Sequence, residues 1–318
     1  MVRENENLNL REIARWCGAD GLPENSKEVV EKIFDLENRY DEKELVEIYG
    51  YFLRTFNSPA VLEGVIKAQD KIRNAELLPC LIDILISKKG EDEFISTRAM
   101  CAKAIANLKD TSAVNALLYC LNNKEENYKV RFACADALGK IGDRFAVTPL
   151  INVVRDEDEK SLYLRESAAT ALGMLGDSRA VDALVGILET KKGIIDKFTF
   201  LKERVLEALS KLASSTDDER VFKALKNSLH DESSQVRINA IEALMDFNNP
   251  EAYELIHACL YDKDDEVKKN ALVALYNMRG RGILDEVISS DLYSDGLKIE
   301  AVGLIDEYET GEEGISDG

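Results

Sequence analysis

Apolar residues recur along most of the chain in paired stretches, and within each stretch they are spaced three and four residues apart. The clearest pair runs from Val130 to Asp156. In each half the apolar side chains fall on one face of a helix, and Gly142 and Asp143 interrupt the pattern between the halves. Because glycine favours the end of a helix and aspartate favours the start of one, the pattern predicts two amphipathic helices joined by a tight turn.

This two-helix unit is repeated along the chain. A basic residue follows the first apolar position of each copy, and successive basic residues are 31 to 37 residues apart. These basic anchors are Arg98, Arg131, Arg165, Lys202, Arg237 and Lys268. A weaker copy begins near Ala60, and half a copy begins at Leu297. One helical pair cannot bury both of its apolar faces, whereas stacked pairs share a continuous core. The sequence therefore predicts an all-α fold built as an α-solenoid.

Two of the copies, VRFACADALGKIGDRFAVTPLINVVRD and LRESAATALGMLGDSRAVDALVGILET, resemble HEAT repeats. They resemble in particular the short repeats of phycobilisome-lyase-type proteins. The resemblance covers residues 60–305 and implies a right-handed solenoid of about six to seven helix pairs. It also implies that the basic anchors and the turn aspartates, such as Arg131 and Asp143, form a structural ladder between turns and helices.

Residues 1–57 do not match the repeat. The stretches 26–38 and 42–56 predict amphipathic helices, and residues 8–17 predict a shorter one. A solenoid needs an atypical end unit to cover its terminal apolar face, so we expect a helical N-terminal cap here; a partner-docking element is the alternative. The repeat solenoid occupies residues 58–305. Residues 306–318 contain six acidic residues and no basic ones, which predicts an acidic disordered tail.

The composition narrows the possible functions. The chain has 318 residues, a formal net charge of −19 and only two histidines. An acidic chain lacks the positive field that a phosphate backbone needs, so nucleic-acid binding is disfavoured. More than half of the net charge lies in residues 1–57 and 306–318. The lack of a basic stripe within the repeats is therefore the stronger argument against nucleic acid.

The sequence predicts no catalytic, metal or cofactor site. The six cysteines form no CxxC pair and have no histidine at ligand spacing, which favours free thiols packed as small apolar residues. His230 and His257 are followed by Asp231 and Ala258, so the His-Glu pairs that bind iron in deoxyhypusine hydroxylase are missing. No apolar run is long enough to span a bilayer and the N-terminus has no apolar signal segment, so we expect a cytoplasmic protein.

The second helix of each unit supplies the predicted binding surface. In this architecture we expect the second helices to line the concave face, with outward polar positions at steps of three and four residues. Tyrosine and arginine in such a row are typical anchors of protein–protein contacts. The predicted protein-binding residues are Asn115, Tyr119, Asn152, Arg155, Asp182, Lys223, Asn227, His230, Glu254 and Tyr261. The long junction 191–200, which carries several apolar side chains, is either a further partner contact or a locally packed segment.

These observations favour a non-catalytic scaffold or assembly factor that binds a protein or peptide segment, with a preference for basic segments. The alternative is a phycobilin-lyase-like or cofactor-assembly subunit acting on a client protein, and this is the only enzymatic possibility that we retain. A bilin pocket would need aromatic walls with an acid and a base, and aromatic residues make up only 7% of the chain. We therefore expect no cofactor.

Overall fold

The computed structural model describes residues 8–19, 26–189, 195–213, 218–247 and 249–313. All regular structure in these ranges is helical, and it comprises eighteen α-helices and several short 3-10 turns. The predicted all-α fold is confirmed. None of the helices in the described ranges is both long enough and apolar enough to cross a membrane.

The chain forms two compact units. The first comprises Met1–Val153 with Asp158–Leu175, and the second comprises Val154–Glu157 with Gly176–Gly318. The helices up to residue 175 are α1 (Leu10–Cys17), α2 (Ser26–Asp35), α3 (Glu42–Thr55), α4 (Pro59–Ile72), α5 (Leu78–Ser87), α6 (Ile95–Leu108), α7 (Val114–Asn122), α8 (Tyr128–Ile141), α9 (Val147–Arg155) and α10 (Leu162–Leu175). The later helices are α11 (Val181–Glu189), α12 (Ile195–Ala213), α13 (Glu219–Ser228), α14 (Ser234–Met245), α15 (Pro250–Ala258), α16 (Asp265–Arg279), α17 (Gly282–Ser289) and α18 (Asp295–Glu313).

First and second helices of the repeat alternate along the chain. The first helices are the even-numbered α4 to α16, and the second helices are the odd-numbered α5 to α17. The turn between them follows the predicted chemistry. Gly142 ends α8 in the left-handed region at φ 83°, which a residue without a Cβ adopts at little cost. The Asp143 carboxylate then accepts the backbone N–H of Phe145 and opens the 3-10 turn that leads into α9.

Small residues allow the first helices to approach one another closely. The recurring alanines of this row, such as Ala137 of α8 and Ala171 of α10, are buried. A Cβ added at Gly139 of α8 would lie 2.7 Å from the Cα of Ala171, so only hydrogen fits at that point. Larger side chains in this row would overpack the core.

A ladder of buried arginines crosses the first unit. Arg98 of α6 is only 1% exposed, and its two terminal nitrogens donate to the Glu126 carboxylate at 2.9 and 2.6 Å. Its Nε donates to the carbonyl oxygen of Leu85, near the C-terminus of α5, at 2.8 Å. Each such arginine therefore ties the preceding second helix to the junction that follows its own repeat.

The ladder recurs with the same geometry. Arg131 of α8 donates to the carbonyl of Leu121 at 2.9 Å and to Glu159 at 2.5 Å. In the second unit Arg237 of α14 donates to Asp262 at 2.8 and 2.9 Å and to the carbonyl of Asp231 at 2.9 Å. These guanidinium groups are buried, and a buried ion pair persists only when its remaining donors are also satisfied.

The turn aspartates and the basic anchors have different partners. Asp110, Asp143 and Asp177 accept backbone N–H groups two residues further along the chain. They cap the 3-10 turns, which is the role that a short carboxylate at a helix start performs best. The acids that pair with the arginines instead lie in the junctions after the second helices.

The N-terminal helices lie close to their predicted positions. α1, α2 and α3 fall within the stretches 8–17, 26–38 and 42–56, and α2 and α3 both pack against α4. The Asp41 side chain accepts the N–H of Glu44 while the Glu44 side chain accepts that of Asp41, so a capping box opens α3. That residues 1–57 cap the array stays a prediction.

The C-terminal segment is more helical than predicted. α18 continues to Glu313, so residues 306–313 of the predicted acidic tail are helical rather than disordered. Glutamate is a strong helix former, and four of these eight residues are glutamates that extend an already nucleated helix. Residues 314–318 lie outside the described residues. In the long junction 191–200, residues 195–200 belong to α12 and residues 191–194 lie outside the described residues.

Replacing Arg98 with methionine should destabilise the protein by about 3–5 kcal/mol, because the substitution leaves the buried Glu126 carboxylate without its partner. The double variant Arg98→Met/Glu126→Met should recover part of that loss, since it removes both buried charges. Urea unfolding followed by circular dichroism measures both changes. A double variant less stable than Arg98→Met would contradict this account of the ladder.

The same pair predicts a loss of stability in acid. Burial alone would raise the pKa of Glu126, but hydrogen bonds from Arg98 and from the N–H of Asn127 outweigh burial and hold this pKa below its usual value. A carboxyl group with a lowered pKa stabilises the fold above its unfolded-state pKa of about 4.3, and this contribution is lost as the pH falls from there through the folded-state pKa. Urea unfolding between neutral pH and pH ~3 should therefore show a smaller acid-induced loss in Arg98→Met/Glu126→Met than in the native chain.

Replacing Gly139 with alanine should destabilise the protein by about 1–3 kcal/mol, although alanine is the better helix former, because the new Cβ would collide with Ala171. Gly303 of α18 is the matched control, since a Cβ there would meet nothing within 4 Å. Gly303→Ala should be neutral or stabilising by up to about 1 kcal/mol. Equal free energies of unfolding for the two variants would show that the close approach of α8 and α10 does not restrict the size of the side chain at residue 139.

Candidate protein-binding surface

All ten residues that the repeat pattern assigns to the outward face of the second helices are exposed. In the first unit these are Asn115 and Tyr119 on α7 and Asn152 on α9. In the second unit they are Arg155 at the end of α9, Asp182 on α11, Lys223 and Asn227 on α13, His230 in the turn after α13, Glu254 on α15, and Tyr261 in the 3-10 turn after α15. The helical period therefore locates an outward face on each second helix; that this face binds a partner stays a prediction.

The two helix rows of the first unit are not equally spaced. α6, α8 and α10 pack closely against one another, whereas α5 and α7 meet through few residues. Small side chains in the row of first helices, such as Gly139 and Ala171, allow this close packing. That the second helices line the concave face stays a prediction. In the second unit α14 likewise packs extensively against both α12 and α16.

Ion pairs connect neighbouring second helices in the second unit. Asp182 of α11 pairs with Arg220 of α13, and Lys226 of α13 pairs with Glu251 of α15 at 2.9 Å. These pairs are solvated and contribute little to stability. Lys223, which lies on α13 between the two cations, has no hydrogen-bond or ion-pair partner among the described residues. Lys223 therefore keeps an exposed charge that a partner can contact.

A groove of about 890 Å³ lies beside α13 and the start of α15. Phe222 and Phe247 line it, and their rings meet edge to face with centroids 5.1 Å apart. Lys223 and Asn227, both predicted binding residues, also line the groove, together with Glu251 and other charged side chains. The groove thus combines an aromatic patch with polar groups of both signs.

A cluster of aromatic and titratable side chains surrounds Tyr261. The rings of Tyr261 and Tyr293 stack with centroids 5.4 Å apart and planes inclined by 22°. Tyr261 is 55% exposed, whereas Tyr293 is 7% exposed. The buried ring therefore supports the exposed ring from one side.

The hydroxyl of Tyr293 donates to Oε1 of Glu286 at 2.8 Å. Nε2 of His257 lies 3.2 Å from the same oxygen. In the tautomer that carries its proton on Nε2, His257 donates a hydrogen bond to this oxygen. Burial raises the pKa of Tyr293, and its hydrogen bonds to Tyr261 and Glu286 raise this pKa further. Tyr293 is thus a permanent donor to Glu286 at physiological pH.

The sequence prediction missed exposed apolar side chains on the first helices. Tyr128 and Phe132 of α8 and Tyr163 and Met174 of α10 are all exposed. The signal was a departure from the repeat at outward positions, since Tyr163 occupies the position that Lys129 has one copy earlier. Searching the first helices for such departures would have found them.

The cysteines are packed inside the protein rather than grouped with other metal-binding side chains. Within the described ranges no group of three or more His, Cys, Asp or Glu side chains is placed to bind a metal ion. All six cysteines are buried free thiols, as the packing interpretation predicted. Burial raises the pKa of Cys17 to about 12 and that of Cys259 to about 11, so both stay protonated at neutral pH.

Comparison with known families decides the classification. The profile of the HEAT repeats matches residues 88–162, 126–199 and 222–288, which together cover more than half of the chain. The chain belongs to the HEAT-repeat family. A curated relative, the coatomer subunit gamma of Arabidopsis thaliana, is 29% identical over 140 residues. That match covers 40% of this chain and spans only 16% of the coatomer subunit.

Solved structures share the architecture of this HEAT-repeat protein. The karyopherin Kap121p matches 92% of this chain with 37% of its own, at 12% identity and a TM-score of 0.55. The complex of CpcE and CpcF of phycocyanin lyase from a Nostoc species matches 76% of this chain with 90% of its own, at 25% identity and a lower TM-score of 0.45. The first similarity shows a shared fold, and neither transfers a function to this chain.

Proposed function

We propose that this HEAT-repeat protein is a non-catalytic scaffold or assembly factor that binds a segment of another protein on its second helices. The groove beside α13 carries the proposal. Its aromatic pair offers apolar contact, and its charged lining offers orientation and specificity, which is the combination found at protein-binding surfaces. The predicted residues Lys223 and Asn227 line this groove, so the repeat pattern and the surface geometry support the same place.

The size of the groove favours an extended segment over a folded domain. A volume of about 890 Å³ accommodates a few side chains of a peptide. In one solved complex Kap121p is bound to the extreme C-terminus of the protein phosphatase Cdc14p, so a protein with this fold can receive a chain end. The formal net charge of −19 draws basic segments toward this protein and repels nucleic acid.

Filling the groove should abolish partner binding. Asn227→Trp places a large side chain in the groove, whereas Asn277→Trp makes the same change at an exposed position of the first helix α16. We expect proteins that the native chain retains from an extract of its source organism to be retained by Asn277→Trp and reduced about tenfold by Asn227→Trp. Quantitative mass spectrometry of the eluates measures the difference.

Equal retention of partner proteins by both variants would show that the groove is not the binding site. A visible absorption spectrum in the material eluted from the native chain would favour the cofactor-assembly alternative instead. Circular dichroism of both variants checks that each has kept its helical content.

A further inference from the structure

Tyr261 presents an aromatic ring that is more than half exposed. Tyr293 stacks on one side of its ring, and the ring is still 55% exposed. No cation lies over Tyr261 in the described ranges. A ring that is held by a buried neighbour and open to solvent on its other side loses little conformational entropy when a ligand stacks on it.

Glu286 presents a carboxylate with a fixed orientation. Both of its donors, Tyr293 and His257, approach the same oxygen, Oε1. The other oxygen, Oε2, accepts no hydrogen bond from the described residues, and the Glu286 side chain is 50% exposed. The carboxylate is therefore oriented by the protein while one oxygen faces solvent.

Tyr293 places these two features side by side. It contacts Tyr261 through its ring and Glu286 through its hydroxyl, so a single side chain separates the exposed ring from the oriented carboxylate. An aromatic face next to a carboxylate is the arrangement that matches a guanidinium group, which stacks on a ring and donates from its edge.

The chain itself uses this chemistry in both of its units. The guanidinium of Arg279 lies 3.9 Å from the ring centre of Tyr253, and that of Arg39 lies 4.2 Å from the ring of Trp16. Arg279 covers Tyr253, which makes that ring unavailable, and it forms no ion pair with Glu286. Tyr261 and Glu286 are thus the aromatic ring and the carboxylate of this cluster that remain open to an external cation.

We propose that Tyr261 and Glu286 form a subsite for an arginine side chain of the bound protein segment. The subsite rests on the proposed function, because it assigns a partner group to the same second-helix face. Arginine is favoured over lysine, since an ammonium group is a point charge that cannot both stack flat on a ring and donate from the edge of the same plane to Oε2. The acidic charge of the whole chain assists the approach of such a segment.

Titration with capped glycine peptides that differ in one side chain tests the subsite. The full chain, with its tyrosines isotopically labelled, is titrated with a peptide containing arginine, and then with matched peptides containing lysine or the neutral isostere citrulline. We expect saturable shifts of the Tyr261 and Tyr293 ring signals with arginine, and an affinity at least about fivefold weaker for lysine and for citrulline.

Two variants and two controls assign the effect to residues. Tyr261→Ala and the isosteric Glu286→Gln should each weaken the binding of the arginine peptide by about tenfold. Tyr163→Ala and Glu242→Gln remove an exposed ring and an exposed carboxylate elsewhere, and should leave the affinity unchanged. Because Glu286→Gln preserves shape and most contacts, it remains informative if Tyr261→Ala folds poorly.

Equal affinity for arginine and citrulline, or undiminished affinity in Glu286→Gln, would overturn the subsite. This outcome is separable from failure of the proposed function, since the titration needs no natural partner. A partner lost from Asn227→Trp together with no arginine preference would reject the subsite alone. An arginine preference with equal retention by both tryptophan variants would reject the groove and leave the subsite standing.

Discussion

The buried guanidinium groups are the constraint on which the array depends. Arg98, Arg131 and Arg237 each give up water for a carboxylate and at least one backbone carbonyl, and those acceptors come from different parts of the chain. The apolar faces hold neighbouring helices together but would tolerate sliding, because dispersion and apolar burial are not directional. The arginine contacts are directional, so they set the register in which one helical pair meets the next.

Much of the fold could be predicted because its signals are local. The Gly142-Asp143 turn and the spacing of apolar residues within each helix both act over a few residues, and the structure places helices where they indicate. The arginine partners could not be predicted, because Glu126 lies 28 residues after Arg98 and Asp262 lies 25 residues after Arg237. These acids sit in junctions of variable length, where no period marks them.

The candidate surface also has features that could be predicted from local sequence signals and features that could not. The outward positions on the second helices follow from the helical period, and all ten are exposed. That the second helices line the concave face, and that these positions bind a partner, stay predictions. The environment of Tyr261 was also out of reach. Tyr293 comes from the junction between α17 and α18, and it meets His257 across 36 residues of sequence.

The ladder also restricts the number of residues that can separate neighbouring anchors. Where the spacing of anchors is longest, at Lys202, a flexible lysine replaces the rigid fork and reaches Asp231 in a partly exposed pair. At the last full copy the anchor Lys268 turns back to Asp265 of its own helix, and the chain of long-range pairs stops. A buried guanidinium can reach its carboxylate only if the number of residues between them stays nearly constant. Loss or gain of a complete two-helix repeat keeps each arginine opposite an equivalent acid, whereas loss or gain of part of a repeat would leave a buried charge without its partner. We therefore expect length variants that keep the buried pairs to differ by complete repeats, or within copies whose anchor is lysine.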